Sequence, residues 1–244
     1  FYPSPLHYRS VPELVYEVNA TVLCGTDTFF AGYGAMAHPY DFFALRYAIV
    51  GAEKLKTSTA ELWMRKFGIR ILEGYGATET SPVISINTPM YIREGSVGRL
   101  FPKMAARLED VPGIKDGKRL LVSGDNVMQG YMFADNPDVL VPPKDGWHDT
   151  GDIVDIDKDG FIFIKGRAKR FAKIGGEMIS LTAVEQVLSK LYPDAVQGIV
   201  SVPDEKKGER LVLITTKPDV DLSEVRAYIK SQGFNELGSP SAFI

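Results

Sequence analysis

The first ninety residues alternate between helix-like runs, in which apolar and polar positions mix, and short runs that are almost entirely apolar. Helices are predicted in SVPELVYEVN, from Thr26 onward, and in STAELWMRKFG, which ends at Gly68. Ser10 is the expected cap of the first helix, because Glu13 completes a capping-box pattern. Strands are predicted in TVLCG, RYAIVG and IRILEGYG. This alternation indicates a parallel sheet with crossover helices, whose ligands bind at the carboxyl ends of strands. A site is therefore expected in the loop after Glu73.

The pattern changes after Pro89, where short strand-like runs are separated by glycine, proline and aspartate. The runs VGRLFP, AARLED, KRLLVSG and DIVDIDKDGFIFIKG predict a mainly antiparallel subdomain. From Arg170 the chain predicts a helix in LTAVEQVLSKL, a hairpin in VQGIVSVPDEKKGERLVLITT, and a helix in LSEVRAYIKSQG capped by Ser223. The predicted fold class is thus α/β with three parts. They are a parallel-sheet part (1–90), a strand-rich subdomain (91–168) and a small α+β part (169–244), with a boundary near Lys169.

The composition narrows the classes of function. The 244 residues include 28 Lys+Arg and 31 Asp+Glu, a net charge of −3 that gives no general attraction to nucleic acid. Cys24 is the single cysteine, which excludes an intramolecular disulfide and a multi-cysteine zinc site and fits a reducing cytoplasm. The longest run without a polar side chain, Phe29 to Ala37, is far shorter than the ~20 residues that span a bilayer. We predict no transmembrane segment and no nucleic-acid partner.

One acidic segment matches the opening of a calcium-binding loop. Asp155 to Gly160 reads DIDKDG, with oxygen ligands at alternating positions and a glycine for the turn. The match then fails, because the twelfth position is Gly166 instead of a bidentate glutamate, and the intervening FIFIK alternates as a strand does. The segment therefore predicts a tight hairpin turn in preference to a calcium site.

Three other segments carry candidate chemistry. Glu73 to Pro82, EGYGATETSP, combines glycines, threonines and carboxylates, which suits phosphate and Mg²⁺ binding, although an ordinary glycine-rich turn has the same composition. WHDTGDIV places Asp152 where its carboxylate can accept two ribose hydroxyls, unless it is only a turn. GRAKRFAKIGGEMIS, residues 166–180, can face a polyphosphate or a phosphopantetheine chain, or be a solvated charged linker.

Together these segments are more specific than each alone. In order, GAEKL (51–55), EGYGATE (73–79), WHDTGD (147–152) and GRAKRFAKIGGEMI (166–179) resemble the consecutive signatures of the adenylate-forming, AMP-binding superfamily, which includes the acyl-CoA synthetases. The resemblance covers about residues 46–185. It implies that residues 1–90 belong to the large nucleotide-binding domain. It also implies a two-step ligation, in which an acid and MgATP give an acyl-adenylate and pyrophosphate, and a thiol then accepts the acyl group.

The resemblance assigns roles residue by residue. Gly51, Ala52 and Glu53 border adenine and Tyr75 stacks on it, Thr78 contacts phosphate, and Glu79 is the Mg²⁺ ligand. The positions implied for ATP or AMP are Gly51, Ala52, Glu53, Gly74, Tyr75, Gly76, Thr78, Asp152 and Arg167. Those implied as catalytic are Thr78, Glu79 and Lys173. Lys169 falls at the hinge of the mobile C-terminal domain, and Gly175 and Gly176 face the phosphopantetheine arm.

The flanking segments resemble one bacterial subgroup. YPSPLHYRSVPELVYEVNATVLCGT and PYDFFALRYAIVGAEKL are similar to the ligase half of bifunctional enzymes that join an acyl-carrier-protein synthetase to a 2-acylglycerophosphoethanolamine acyltransferase. This implies fatty acid, ATP, acyl-carrier protein and a lysophospholipid as partners. It also implies phospholipid turnover, with the chain in the cytoplasm and the intact protein at the cytoplasmic face of the inner membrane. The alternatives are a fatty acid or aryl acid coenzyme A ligase and a non-catalytic nucleotide-binding module.

The chain departs from the family pattern in three places. It contains no Ser/Thr/Gly-rich phosphate loop, no catalytic lysine after Ser-Pro-Ser-Ala-Phe-Ile, and no HxxxxD acyltransferase motif, since Ile153 stands where that aspartate would follow His148. We therefore expect a chain truncated at both ends and inactive by itself. The sequence leaves open the length of the acyl chain, the choice between carrier protein and coenzyme A, and the oligomeric state.

Overall fold

The computed structural model describes residues 4–244, so the first three residues of the predicted first domain, and the start of the flanking segment at Tyr2, lie outside the described residues. The described chain divides into two compact units. The first comprises the residues up to Ala106, Val122–His148 and Ile156–Phe163, and the second comprises Arg107–Leu121, Asp149–Asp155 and Ile164–Ile244. The three domains that we predict from the sequence stay predictions.

The first elements follow the predicted alternation of helices and strands. In chain order they are α1 (Ser10–Glu17), β1 (Val22–Gly25), α2 (Asp27–Met36), β2 (Tyr47–Val50), α3 (Thr57–Phe67), β3 (Ile71–Gly76), β4 (Val83–Ile86) and β5 (Arg99–Leu100). The first three strands pair in parallel, and β4 and β5 extend the sheet antiparallel in the order β1-β2-β3-β4-β5. The prediction of a parallel sheet with crossover helices is confirmed.

An aromatic cluster holds the helices of the first unit together. Trp63 of α3 is fully buried, and its ring lies 4.7 Å from that of Phe30 and 4.6 Å from that of Phe42. Its Nε1 donates a hydrogen bond of 2.7 Å to the Phe30 carbonyl oxygen. Gly34 allows α2 to lie close to α3, because a Cβ at this position would lie only 2.8 Å from Nε1 of Trp63. α3 ends at Phe67 and is capped by Gly68, whose φ is 67°, as predicted.

The middle of the chain is rich in strands. These are β6 (Ala105–Glu109), β7 (Lys118–Ser123), β8 (Tyr131–Phe133), β9 (Asn136–Val141), β10 (His148–Ile156) and β11 (Ile162–Arg167). Four of them form a sheet in the order β11-β10-β7-β6, and β8 pairs with β9 in a hairpin that the sequence did not predict. The predicted turn between β10 and β11 is confirmed: the Asp157 carboxylate accepts hydrogen bonds of 2.9 Å from the N–H groups of Asp159 and Phe161.

The last part combines two hairpins with two helices. The elements are β12 (Phe171–Ile174), β13 (Glu177–Ser180), α4 (Leu181–Leu191), β14 (Gln197–Asp204), β15 (Gly208–Thr215), α5 (Leu222–Ser231) and β16 (Ala242–Phe243). β12 pairs antiparallel with β13, β14 with β15, and β16 adds to β15 in parallel. Val184 and Leu188 of α4 and Val225 and Ile229 of α5 are buried in one apolar core with Leu213. The predicted helices and the predicted hairpin in this part are confirmed.

Both side-chain caps that the sequence predicted are wrong. Ser10 is the first residue of α1, whose N-cap is Arg9 and has no side-chain cap hydrogen bond. The N-cap of α5 is Asp221, whose carboxylate accepts a hydrogen bond of 2.8 Å from the N–H of Ser223. Ser223, the predicted cap, therefore contributes only its backbone N–H. Asp221 precedes the first turn of α5, where its side chain can accept from the free N–H groups of that turn.

This assignment predicts a difference between two alanine variants. Asp221→Ala should lower the free energy of unfolding by about 1 kcal/mol, since it removes the carboxylate that satisfies a free N–H of α5. Ser223→Ala should change it by less than about 0.5 kcal/mol, because the exposed hydroxyl does not cap the helix. Urea unfolding followed by circular dichroism measures both. An equal or larger loss for Ser223→Ala would contradict the assignment.

No helix within residues 4–244 is both long enough and apolar enough to cross a membrane.

Candidate active site

The first two motifs meet where the parallel strands end. Gly51 directly follows β2, and its N–H donates a hydrogen bond of 3.1 Å to the carbonyl oxygen of Gly25 at the end of β1. A Cβ on Gly51 would lie 3.6 Å from the Gly74 carbonyl oxygen in β3. GAEKL and EGYGATE are thus neighbours at the edge of the sheet where open α/β folds bind ligands.

Ala52 has an unusual backbone conformation within this loop. Its φ is 65°, in the left-handed region that favours glycine. Such a conformation costs a non-glycine residue about 1–2 kcal/mol, and residues of this kind cluster at functional sites. The strain supports the assignment of the Gly51–Glu53 loop to a ligand site, which rested on the resemblance alone.

The side chain of Glu53 fastens the loop to α2. Its carboxylate accepts hydrogen bonds from the N–H of Thr28, at 3.0 Å, and from the Thr28 hydroxyl, at 2.8 Å. Burial by itself raises the pKa of Glu53, but the Thr28 hydrogen bonds, Thr26 and the charge of Lys56 together bring that pKa below its ordinary value. The Glu53 side chain, which the resemblance places at the border of the adenine pocket, is therefore hydrogen-bonded to the first turn of α2.

Two further carboxylates hold the same loop, and the sequence did not predict them as site residues. Glu73 accepts a hydrogen bond of 3.1 Å from the Leu55 N–H, and buried Asp27 accepts one of 2.9 Å from the Lys56 N–H. Burial raises the pKa of Glu73, with the charge of Asp27 adding to it, while the Leu55 hydrogen bond and a nearby lysine oppose the shift. The position of Glu73 at the end of an apolar strand was the available signal.

Gly76 lies too close to a neighbouring backbone segment to carry a side chain. Between Tyr75 and Gly76 the pairing of β3 with β4 shifts register, and a Cβ on Gly76 would lie 1.8 Å from the carbonyl oxygen of Pro82. The same oxygen accepts hydrogen bonds from the Ala77 N–H, at 2.9 Å, and from the Thr80 hydroxyl, at 2.8 Å. This close approach shapes the loop that carries Thr78 and Glu79.

The three residues Thr78–Thr80 form a single 3₁₀ turn. Thr80 is completely buried, and its hydroxyl also accepts a hydrogen bond of 3.1 Å from the Ala77 N–H. Thr78 is exposed and Glu79 is half-buried. Of the two threonines in the motif, Thr80 therefore stabilises the turn and Thr78 is the exposed one. The phosphate contact of Thr78 stays a prediction.

A segment about fifty residues further along the chain clamps this turn. The Met128 N–H donates to the Glu79 carbonyl oxygen at 2.8 Å, and the Asn126 side-chain amide donates to the Thr80 carbonyl oxygen at 2.6 Å. The Tyr131 hydroxyl donates to Glu79 Oε1 at 2.6 Å. This hydrogen bond, together with burial and the charge of Glu79, raises the pKa of Tyr131 above its ordinary value. Sequence reasoning missed these contacts because they are long-range.

The residues near Glu79 suit a magnesium ion whose remaining ligands come from a bound nucleotide. Across residues 4–244 there is no group of three or more His, Cys, Asp and Glu side chains that could hold a metal ion. Mg²⁺ bound with nucleotides needs fewer protein ligands, because one or two carboxylates plus substrate phosphates complete its octahedral shell. Glu79, which is half-buried and follows exposed Thr78, is a carboxylate ligand of that kind.

The second unit brings the predicted ribose residues together. Asp152 on β10 is buried, and its Oδ1 lies 3.1 Å from Nε of Arg167 at the end of β11. The Asp152 N–H donates to the Thr150 hydroxyl at 3.1 Å, and that hydroxyl donates to the Leu120 carbonyl oxygen at 2.9 Å. A carboxylate fixed in this way can accept two cis hydroxyls.

The glycine pair has a local structural reason. Gly175 and Gly176 form the turn of the β12–β13 hairpin with φ values of 58° and 89°, and a two-residue turn of this kind needs positive φ at both positions. Lys173 is exposed, as is Lys169 in the 3₁₀ turn Ala168–Arg170, and the Gly175 N–H donates to the Lys207 carbonyl oxygen at 2.8 Å. The hinge and the phosphopantetheine-facing positions stay predictions.

Comparison with known proteins identifies the class. A family model for AMP-binding enzymes matches residues 1–132, more than half of the chain, and the chain belongs to this adenylate-forming family. The resemblance to the adenylate-forming superfamily and the α/β fold class are confirmed.

The relatives and the solved structures agree with this family. A long-chain-fatty-acid–CoA ligase of Yersinia pestis is 33% identical over 229 residues, which cover 88% of this chain and 40% of that protein. ATP-bound MatB from Rhodopseudomonas palustris matches with a TM-score of 0.75 and 26% identity over 96% of this chain and 49% of that one. Unliganded O-succinylbenzoate coenzyme A synthetase of Bacillus subtilis, at 24% identity, matches in fold with a TM-score of 0.79, covering 97% and 52%. The chain spans about 40% of the length of the curated relatives it matches.

Proposed function

We propose that this chain carries the adenylate-binding loops and the thiol-transfer segment of an acid:thiol ligase. Such an enzyme activates a carboxylic acid with ATP and passes the acyl group to a thiol. The observation that supports this most strongly is the contact between the Gly51 loop and Gly74 at the ends of adjacent parallel strands, in a chain of the AMP-binding family. A non-catalytic nucleotide-binding module would need these loops but not the basic, glycine-paired segment after Arg167.

Each loop has a defined part in binding ATP under this proposal. The backbone of Gly51–Glu53 borders adenine, Tyr75 stacks on it, and the backbone of Gly74 and Gly76 lines the same site. Asp152, oriented by Arg167, accepts the ribose hydroxyls. Thr78 donates its accessible hydroxyl to a phosphate oxygen. Thr78 is exposed, whereas buried Thr80 supports the loop.

Glu79 would hold Mg²⁺ together with the phosphates of ATP. When bound, the ion supplies positive charge that stabilises the leaving pyrophosphate. Lys173 and the turn Gly175–Gly176 would approach the thiol in the second step, after movement about Lys169. Exposure of Lys169 and Lys173 is compatible with such roles.

For the thiol acceptor, the relatives favour coenzyme A over the carrier protein that the flanking segments predicted. Several of the matching proteins are named long-chain-fatty-acid–CoA ligases, so we infer a fatty acid as substrate and coenzyme A as acceptor. Acyl-carrier protein, with a linked acyltransferase acting on a lysophospholipid at a membrane, is the second candidate. It is supported by exposed Lys206 and Lys207 at the β14–β15 turn, which would attract an acidic partner.

A chimera tests the function and the acceptor together. This chain would be joined to the part of the Yersinia pestis ligase that it does not match, and thioester formation from a fatty acid would be measured with coenzyme A and with acyl-carrier protein. We expect ATP-dependent acyl-CoA at a rate at least about 10-fold above the acyl-carrier-protein product, a difference of about 1.4 kcal/mol in transition-state stabilisation. The reverse preference would replace coenzyme A by the carrier protein.

The 244-residue chain serves as the control. Because the chain spans about 40% of the length of the curated relatives it matches, we expect no fatty-acid-dependent ATP–pyrophosphate exchange from it alone. Robust exchange by the chain would refute this expectation. A chimera that binds ATP but forms neither thioester would contradict the proposed ligase function itself.

A further inference from the structure

The β8–β9 hairpin begins at Tyr131, whose hydroxyl donates to the carboxylate of Glu79 at 2.6 Å. We propose that Tyr131 is a positioning residue that orients Glu79 for the divalent ion accompanying ATP. The inference rests on the proposed function, because it takes Glu79 as the magnesium ligand. It adds a residue that none of the four sequence motifs contains and a reason for the hairpin to start where it does.

The Tyr131 hydroxyl hydrogen-bonds to one oxygen of the Glu79 carboxylate, Oε1. A carboxylate offers about four lone-pair directions on its two oxygens, so a hydrogen bond from a neutral donor is chemically compatible with metal ligation by the same group. A hydrogen bond from a neutral donor to an ionised carboxylate is short and strong, so it fixes the side-chain torsions of Glu79. Partners of this kind, which orient a ligand without touching the metal, commonly contribute 10–100-fold to metal affinity.

The same segment also fixes the backbone of Glu79. Met128, three residues before Tyr131, donates its N–H to the Glu79 carbonyl oxygen at 2.8 Å. Asn126 donates its side-chain amide to the carbonyl oxygens of Thr80, at 2.6 Å, and Val83, at 2.9 Å. Main chain and side chain of the proposed metal ligand are therefore held by one short stretch of sequence, which makes its position well defined before any ligand binds.

The hairpin is well placed to keep Tyr131 in position. Tyr131 pairs with Val141 across the hairpin, and a Cβ on Gly130 would lie 2.4 Å from the Val141 carbonyl oxygen. Only glycine permits this approach of the two strands. Since Tyr131 is 43% exposed, its hydrogen bond contributes about 1 kcal/mol or less to folding, and the removal of the hydroxyl should leave the fold intact. The hydrogen bond between Tyr131 and Glu79 therefore contributes little to the stability of the fold, which favours a role in orienting the carboxylate.

Metal binding without turnover provides the test. We would measure the affinity of the 244-residue chain for the Mn²⁺–ATP complex by the enhancement of water-proton relaxation, which distinguishes protein-bound Mn²⁺ from Mn²⁺ held by free ATP. Tyr131→Phe should weaken Mn²⁺ binding about 10-fold. The affinity for ATP without divalent ions and the melting temperature should be nearly unchanged. Tyr47→Phe, a tyrosine of similar exposure at the start of β2, is the matched control and should bind Mn²⁺ as the unmodified chain does.

Combining variants separates the outcomes. Glu79→Gln should remove most of the Mn²⁺ affinity, and adding Tyr131→Phe to it should have no further effect, because the hydroxyl acts through the carboxylate. An unchanged affinity in Tyr131→Phe, with loss in Glu79→Gln, would overturn the positioning role and leave the proposed function standing. No loss in Glu79→Gln would overturn both the positioning role of Tyr131 and the proposed role of Glu79. The same loss from Tyr131→Phe in either background would show a purely structural effect and refute the inference.

Discussion

Replacement of Trp63 by alanine is expected to lower the free energy of unfolding by about 3–5 kcal/mol. Trp63 is completely buried, with its ring 4.6 Å from that of Phe42 and 5.0 Å from that of Phe67. The variant loses the burial of the indole and leaves a cavity that these large rings can close only in part. It also removes the donor to the Phe30 carbonyl oxygen, a bond of 2.7 Å between α3 and α2.

Met64→Ala is the matched control for this prediction. Met64 is the next residue of α3 and is 44% exposed, so its truncation should cost less than about 1 kcal/mol. Urea unfolding followed by far-ultraviolet circular dichroism gives both values without depending on tryptophan fluorescence. If Trp63→Ala were no more destabilising than Met64→Ala, the aromatic cluster would not be the packing centre of the first unit.

Substitution of Gly76 by alanine is expected to disturb both the fold and the site. The added Cβ would lie 1.8 Å from the Pro82 carbonyl oxygen and 2.7 Å from its carbonyl carbon, so the backbone must move. Overpacking costs about 1–3 kcal/mol, and each of the two hydrogen bonds to that oxygen about 1 kcal/mol. We expect a loss of about 3–5 kcal/mol in stability. Because the displaced segment carries Thr78 and Glu79, binding of ATP with Mg²⁺ should weaken by at least about 10-fold.

Gly74→Ala, two residues earlier in β3, is the control for stability. A Cβ at this position would meet its nearest neighbours at 3.6 Å, which is ordinary contact. Its stability should change by less than about 1 kcal/mol, and reduced entropy of the unfolded chain acts in its favour. Equal stability of the two variants would mean that the close approach at Pro82 does not constrain the loop.

Much of the secondary structure follows from local sequence. The apolar runs around Ile49 and Leu72 predict buried strands, and Gly68 predicts the end of α3, because period and turn chemistry act within a few residues. The hairpin β8–β9 was missed, since all its residues are exposed and it has no buried face to produce an alternating pattern. The cap of α5 was misplaced by two residues, because Ser223 and Asp221 are both good capping residues and only the turn geometry separates them.

The residue types of the site were predictable from the sequence, but the hydrogen-bond partners of their side chains were not. The motifs indicate glycine loops, an accessible threonine and carboxylates, and these residues lie where the parallel strands end. The side-chain roles depend on partners far away in sequence. The Glu53 carboxylate accepts a hydrogen bond from the Thr28 hydroxyl, and the Glu79 carboxylate accepts one from the Tyr131 hydroxyl. Hydrogen bonds between residues more than twenty positions apart leave no periodicity in the sequence.

The class of fold, the family and the candidate ATP residues could be predicted from the sequence, because hydrophobic period and motif spacing are properties of neighbouring positions. The accessible threonine, the close approach at Gly76 and the hydrogen-bond partners of Asp152 and Glu79 became visible in the folded chain alone. The physical reason is that burial and hydrogen-bond partners arise when distant segments pack, and the same residue types in the same order are compatible with more than one such arrangement.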